Sequence, residues 1–247
     1  MSLVAAGLCD IGKKRKTNQD AIYLNSQKSL FVVADGMGGH NGGDIASQMA
    51  VNEIPKYILE NMEKDATVLC EESILHTNQK IKKRGEEDEK LVGMGTTAVT
   101  FLFRGSNVYI ANVGDSRAYL INNNKLYQLT RDHSLVQEKL NLGLYDRAQA
   151  AEDPQKNVLV RTVGFEDDIE VDVFSYKVSR NDLFLSCSDG LHGKVSDSDI
   201  VHIINRNLPD PTKFTQHNLD QTVKDLVDQA NSNGGQDNIA IVLVAAI

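Results

Sequence analysis

Short apolar runs bounded by an acidic residue recur along the chain. Three mostly apolar runs, at residues 31–34, 108–113 and 183–187, are each followed within two residues by an aspartate, and a fourth aspartate precedes the apolar run 239–244. Runs of this length next to glycine are typical of buried strands. The pattern therefore predicts four strands that carry a carboxylate at one end: Asp35, Asp115, Asp189 and Asp237.

The pattern along the rest of the chain predicts further strands and several helices. Residues 45–62 carry an apolar stripe at helical spacing, with Asp44 as a candidate N-cap. Short connections between residues 96 and 129 predict an antiparallel meander. Further strands are predicted at 3–8, 20–24, 170–178, 182–187 and 238–246, and further helices at 65–84, 134–142, 196–206 and 218–231. This mixture favours a single α+β domain over residues 1–247.

Composition narrows the class of protein. The 247 residues are 41% hydrophobic and 24% charged, which is typical of a globular protein. A net charge of −8 and a pI near 5.3 disfavour nucleic acid as a partner. No apolar tract approaches the roughly 20 residues of a membrane span, and three scattered cysteines favour a reducing compartment. We therefore expect a cytoplasmic protein without a membrane segment, with a monomer as the default.

The four aspartates are the first candidates for chemistry. Any one of them alone fits an ordinary turn, because Asp-Gly commonly follows a strand. Four carboxylates at one edge would repel one another unless a cation or protonation relieved the repulsion. Such an oxygen-rich edge suits Mg²⁺ or Mn²⁺. Whether the four share an edge depends on the fold, which their spacing leaves open.

Cys9 and Arg15 have the Cys-x5-Arg spacing of thiol phosphatases, in which a thiolate attacks phosphorus. That mechanism needs the loop after the cysteine to open a helix, whereas a second strand-like run follows here. A buried strand residue is therefore the favoured interpretation of Cys9, and a nucleophile is the alternative.

His40 lies in the glycine-rich stretch after the first of these strands. The glycines at 36–43 do not make a dinucleotide fingerprint, because Asn41 occupies the place of its third glycine. A histidine flanked by glycine is most often a loop residue, but beside Asp35 it could reach a substrate as an acid.

Six short motifs, taken in order, resemble the motif series of the metal-dependent protein phosphatases of type 2C, in their bacterial serine/threonine branch. They are Arg15-x-x-Asn18-Gln19-Asp20, Asp35-Gly36-Met37-Gly38-Gly39-His40, Gly95-Thr96-Thr97-Ala98, Gly114-Asp115-Ser116-Arg117, Ser188-Asp189-Gly190 and Gly235-Gln236-Asp237-Asn238. Each motif is weak alone, but the ordered series spans residues 10–244. The resemblance implies a four-layer α-β-β-α sandwich, with two antiparallel sheets between helices and a metal centre at one edge.

The resemblance also implies a set of metal ligands. By matching position, Asp35 would bridge two ions of Mn²⁺ or Mg²⁺, and the Gly36 carbonyl would bind one of them. Asp189 and Asp237 would complete the other. Asp115 matches a ligand of a third, weaker metal.

Other matching residues would act on the substrate. Arg15 would hold the phosphate, and Asp20 would orient or deprotonate the metal-bridging water. Two positions depart from animal members, which have glutamate in place of Gln19 and a histidine, the proposed acid, in place of Met37. His40 is then the nearest candidate acid by sequence.

The implied activity is hydrolysis of phosphoserine and phosphothreonine in proteins by direct in-line attack of a metal-activated water. An opposing serine/threonine kinase is the implied partner. Segment 136–157 resembles the flap of the family, which implies a role in substrate gating. Two alternatives stay open: a thiol phosphatase that uses Cys9 and Arg15, and a catalytically silent protein that binds phosphopeptides.

Overall fold

The computed structural model describes residues 2–38, 42–210 and 212–247. The strands in this part of the chain are β1 Leu3–Asp10, β2 Asp20–Asn25, β3 Leu30–Met37, β4 Gly95–Thr96, β5 Ala98–Arg104, β6 Asn107–Val113, β7 Arg117–Asn122, β8 Lys125–Gln128, β9 Asp172–Lys177, β10 Leu183–Cys187 and β11 Ile239–Ala246. The helices are α1 Gly43–Glu60, α2 Ala66–Glu86, α3 Leu135–Asn141, α4 Arg147–Glu152, α5 Asp189–His192, α6 Asp197–Asn207 and α7 Gln216–Ser232, with a 3₁₀ turn at Glu89–Leu91.

The strands form two antiparallel sheets. One has the order β1-β11-β10-β7-β8, and the other has the order β2-β3-β5-β6-β9, with β4 paired to β3. The predicted meander over residues 96–129 is wrong, because the hairpins β5–β6 and β7–β8 lie in different sheets. The chain passes between the sheets at residues 114–116. Gly114, with φ of +103°, allows this change of direction beside Asp115.

Successive side chains on the central strands point to opposite faces of each sheet, and the apolar ones build three layers. In β3, Phe31 and Val33 pack between the two sheets, whereas Val32 and Ala34 pack against α1 and α2. Strand β11 divides in the same way between the space inside the sandwich and the layer of α6 and α7. The predicted α-β-β-α sandwich is thus confirmed.

Helix positions follow the apolar stripes closely. Helix α1 begins with Gly42 as its N-cap, and Asp44 lies in the first turn, so the predicted cap is wrong. The reason is that the start of this helix packs on the backbone of β3, where glycines are needed.

Segment 136–157 contains nearly all of α3 and all of α4, which begin at the side-chain caps Ser134 and Asp146. No helix in the described residues is both long and apolar enough to span a membrane.

Candidate metal and phosphate site

The four predicted aspartates lie around one cavity of about 610 Å³ at an edge of the sandwich. They reach it from β3, from the turn between β6 and β7, from the start of α5 and from the turn before β11. Its lining includes Asp35, Asp115, Asp189, Asp237, Arg15, Gln19 and Gly36. The common edge that residue spacing left open is therefore present, while the ligand role of each residue stays a prediction.

Strand β3 continues past Asp35 to Met37, contrary to the prediction that Asp35 lies at the end of its strand. Asp35 lies opposite Asp20 of β2, and the strand runs on through Gly36 to pair with β4. The Asp35 backbone N–H donates to Thr97 Oγ1 at 3.0 Å, and the Gly36 N–H donates to the Gln19 carbonyl at 3.0 Å. Pairing on both sides fixes the backbone from which the Asp35 side chain and the Gly36 carbonyl project.

Asp20 is held by Ser188, which directly follows strand β10 of the other sheet. The Ser188 hydroxyl donates to Asp20 Oδ2 at 2.7 Å and accepts the Ala240 N–H at 2.9 Å. Asp20 is buried, so its position is set by this bond across the sandwich. Ser188 lies within one of the six motifs, but nothing in its sequence position pointed to this role.

Arg15 forms an ion pair with Asp237 at the mouth of the cavity. Its Nη2 lies 2.7 Å from Asp237 Oδ2, and Asp237 Oδ1 accepts the N–H of Asn238 at 2.9 Å. The Arg15 side chain is 48% exposed, and exposed ion pairs contribute about 0–1 kcal/mol. Arg15 can therefore exchange this carboxylate for another anion at little cost.

Asn238 holds the loop that carries Arg15. Its buried amide donates to the carbonyls of Ile11 (2.9 Å) and Thr17 (3.0 Å) and accepts the Gln19 N–H at 2.8 Å. All of these contacts join residues more than 200 positions apart. Replacing Asn238 would remove three hydrogen bonds that hold the backbone of this loop in place.

His192 supports the turn that contains Asp115. Its Nε2 lies 3.0 Å from the Asp115 carbonyl oxygen. Desolvation by burial and the nearby Arg117 lower the pKa of His192 to about 3, so the ring is neutral and donates through Nε2. The only sequence signal was its place three residues after Asp189, one helical turn away.

The electrostatics of the cavity favour bound protons or a cation. Burial, together with neighbouring carboxylates, raises the pKa of Asp20 and Asp115 to about 7 and that of Asp189 to about 6. The pKa of Asp35 is also raised, because burial is compounded by the carboxylates of Asp20, Asp189, Asp115 and Asp237. A divalent ion would relieve this repulsion.

The donor set fits such an ion by its chemistry, since carboxylate and carbonyl oxygens are the ligands that Mg²⁺ and Mn²⁺ prefer. In residues 2–38, 42–210 and 212–247, no three His, Cys, Asp or Glu side chains make a closed metal cluster. Two of the carboxylates are instead held by protein donors, Asp237 by Arg15 and Asp20 by Ser188.

The raised pKa values predict that the metal-free protein loses stability as the pH rises. Between about pH 4 and pH 7 the folded carboxyls keep protons that the unfolded chain has released, so this stabilisation is complete below the ordinary pKa of 3.8 and lost above about 7. With chelator present, we expect a melting temperature several degrees lower at about pH 8 than at about pH 5. Mn²⁺ should reverse the drop. An equal or higher melting temperature at the higher pH would contradict the raised values.

Cys9 and His40 were the other two candidates for chemistry, as a nucleophile and as an acid. Cys9 lies in β1 opposite Ala240, and its thiol donates to the Asp20 carbonyl at 3.3 Å. Burial, with help from Asp20, raises the pKa of this thiol to about 12, so a thiolate is disfavoured. His40 lies outside the described residues, and its role as an acid stays a hypothesis.

Known proteins are similar to this chain in both sequence and fold. The family model described as protein phosphatase 2C matches residues 8–139. The serine/threonine phosphatase stp of Listeria innocua is 38% identical, over 95% of this chain and 92% of the relative.

Two solved structures match nearly the whole chain. The Mycobacterium tuberculosis serine/threonine phosphatase PstP/Ppp has a TM-score of 0.89 at 28% identity, covering 100% of this chain and 99% of the other. The catalytic domain of the serine/threonine protein phosphatase PstP in complex with two manganese ions has a TM-score of 0.85 at 28% identity, covering 98% and 97%. With this sequence, fold and carboxylate-lined cavity, the chain belongs to the protein phosphatase 2C family.

Proposed function

We propose that this chain is a metal-dependent phosphatase that hydrolyses phosphoserine and phosphothreonine in proteins. The observation that carries the proposal is the convergence of four aspartates and a guanidinium on one open cavity. A binding protein needs no such concentration of carboxylates, whereas activation of water by a pair of divalent ions does. The relative and the two structures described above are all serine/threonine phosphatases by name.

The metal ligands in this proposal are the residues that project from the cavity edge. Asp35 and the Gly36 carbonyl on β3, with Asp189 at the start of α5 and Asp237 in the turn before β11, would hold two ions of Mn²⁺ or Mg²⁺. Asp115 would hold a third ion more weakly. When bound, the ions neutralise the phosphate and lower the pKa of a water that attacks phosphorus.

Arg15 and Asp20 act on the substrate and the water. Arg15 leaves Asp237 for the phosphate, whose oxygens its planar fork can bind in pairs. Asp20, held at Oδ2 by Ser188, orients the attacking water through Oδ1 or accepts its proton. The P–O bond to serine or threonine breaks, and the proton that the leaving oxygen gains is balanced by the proton that the attacking water gives up, so no covalent intermediate on the protein is needed.

The site also supports one catalytic domain over residues 1–247, because its carboxylates come from β3 of one sheet and from the turns and the helix α5 that flank strands β7, β10 and β11 of the other. Neither sheet alone could assemble it.

The reaction that must supply the substrate is phosphorylation by a serine/threonine kinase, which we propose as the opposing partner of a monomeric, cytoplasmic enzyme. Gating by segment 136–157 stays a prediction, and of its residues whose side chains are described only Asn157 lines the cavity.

The test is hydrolysis of p-nitrophenyl phosphate and a phosphothreonine peptide by chelator-stripped protein, with and without Mn²⁺. We expect no turnover without metal, full recovery with Mn²⁺, and the same behaviour in Cys9→Ser. The raised pKa of Cys9 leaves its thiol inert, so the variant should lose nothing.

The two alternatives give different results. Activity that persists in chelator and disappears in Cys9→Ser would identify a thiol phosphatase. A rise in melting temperature with Mn²⁺, without hydrolysis of either substrate, would identify a silent binding protein.

A further inference from the structure

The cavity extends well beyond the aspartates. Its volume of about 610 Å³ is that of a site for a drug-sized ligand, larger than a phosphate group requires. Away from the metal side it is bounded by a segment that we call the 165–170 wall, of which Phe165, Glu166, Asp168, Ile169 and Glu170 line the cavity. Phe165 is 55% exposed, although it is a large apolar side chain facing a cleft. A substrate held at the aspartates must pass this wall.

The 165–170 wall is held in place by a buried amide. Asn78 of α2 is 0% exposed, and its Nδ2 donates to the carbonyls of Glu166 (2.8 Å) and Asp167 (3.3 Å). Its Oδ1 accepts the Gly164 N–H at 2.6 Å. These hydrogen bonds hold the backbone of the wall and of the residue that leads into it before a substrate arrives.

A second link joins the wall to the metal side of the cavity. Val163 and Thr96 exchange two backbone hydrogen bonds of 2.9 Å. Thr96 belongs to β4, where it lies opposite Gly36, the residue after Asp35. The wall and the metal-bearing strand are therefore parts of one hydrogen-bonded unit, and the distance between them is fixed.

The wall carries an excess of negative charge. Lys82 pairs with Asp167, which does not line the cavity, and Arg161 pairs with Glu170 at 2.7 Å. Within the described part of the chain, Glu166 and Asp168 have no ion pair. Two exposed carboxylates therefore face the cavity beside an exposed phenyl ring.

We propose that Phe165, Glu166 and Asp168 determine specificity, selecting phosphorylated segments with an apolar and a basic side chain next to the phosphorylated residue. The proposal rests on the proposed function. The ring offers an apolar contact, and the carboxylates attract lysine or arginine and repel acidic neighbours. Asn78 acts as a positioning residue, since it holds the backbone of the wall.

The test compares phosphothreonine peptides that differ only in the residues flanking the phosphothreonine: lysine and leucine, alanine, or glutamate. Each kcat/KM is divided by the value for p-nitrophenyl phosphate, so that changes at the metal centre cancel. At low salt we expect the wild type to favour the lysine–leucine peptide over the glutamate peptide about tenfold. In Glu166→Gln/Asp168→Asn the ratio should fall to about twofold or less.

The matched control is Asp167→Asn, which removes the adjacent carboxylate that is turned to Lys82, and it should keep the tenfold preference. Phe165→Ala should lower kcat/KM for the leucine-containing peptide severalfold relative to the alanine peptide. A preference that survives in the double variant, or is lost equally in Asp167→Asn, would overturn the charge assignment. No selective loss in Phe165→Ala would overturn the apolar contact. Failure of the wild type with Mn²⁺ to hydrolyse even p-nitrophenyl phosphate would instead contradict the proposed function.

Discussion

Replacement of Asp35 by asparagine should abolish phosphatase activity and at the same time stabilise the metal-free protein. Asp35 projects from the paired part of β3, and its carboxylate is repelled by those of Asp20, Asp189, Asp115 and Asp237. In the proposed function Asp35 is a metal ligand, and its loss should then remove several kcal/mol of transition-state stabilisation, so we expect kcat with Mn²⁺ to fall roughly 10³-fold or more.

The stability gain follows from the same geometry. Burial, and then repulsion from Asp20, Asp189, Asp115 and Asp237, raise the pKa of the native carboxyl, and a neutral amide at position 35 removes both costs. With chelator at about pH 8, we expect the melting temperature to rise by roughly 2–8 °C, corresponding to about 1–2 kcal/mol. Differential scanning fluorimetry with and without Mn²⁺ measures both the gain and the loss of metal stabilisation.

The control for this variant is Asp182→Asn, a buried aspartate away from the cavity. Asp182 accepts hydrogen bonds from Asn122 Nδ2 (2.6 Å) and from the Ser179 N–H (2.8 Å), so its replacement should lower stability and leave activity intact. If Asp35→Asn behaved like Asp182→Asn, Asp35 would be a structural residue and the metal assignment would be wrong.

The strand ends that carry the aspartates could be predicted because the signal is local. An apolar run that stops at Asp or Gly is visible within ten residues, and β6, β10 and β11 begin or end where it indicates. β3 was the exception, since it runs on past Asp35 through its pairing with β4, about 60 residues later in the chain. Local pattern cannot show such a partner.

The contacts that hold the site together are long-range, and this is why they were missed. Ser188 reaches Asp20 across 168 positions, and Asn238 reaches Gln19 across 219. The meander prediction failed for a related reason, because a three-residue connection at 114–116 can equally join two strands of one sheet or pass between two sheets. Only the packing of the two sheets decides between these, and it is this crossing that brings Asp115 to the cavity.

Gly36→Ala is a backbone change for which we expect a large loss of stability. A Cβ at this position would lie 1.9 Å from the Gly43 carbonyl oxygen and 2.6 Å from that of Gln19. Both are backbone atoms, one at the start of α1 and the other on the loop that Asn238 holds, so neither can move without disturbing the site. We expect a loss of about 4 kcal/mol or more in the free energy of unfolding, measured by urea titration.

Gly105→Ala separates this clash from the general cost of losing a glycine. Gly105 lies in the β5–β6 turn with φ of +64°, and a Cβ there would meet nothing within 4 Å, so the substitution should cost only about 1–2 kcal/mol of backbone strain. Equal costs for the two variants would mean that α1 can shift away from β3. The Mn²⁺ affinity of the folded Gly36→Ala protein then tests whether the Gly36 carbonyl is a metal ligand. Unchanged affinity would contradict that role, and weakened binding would support it.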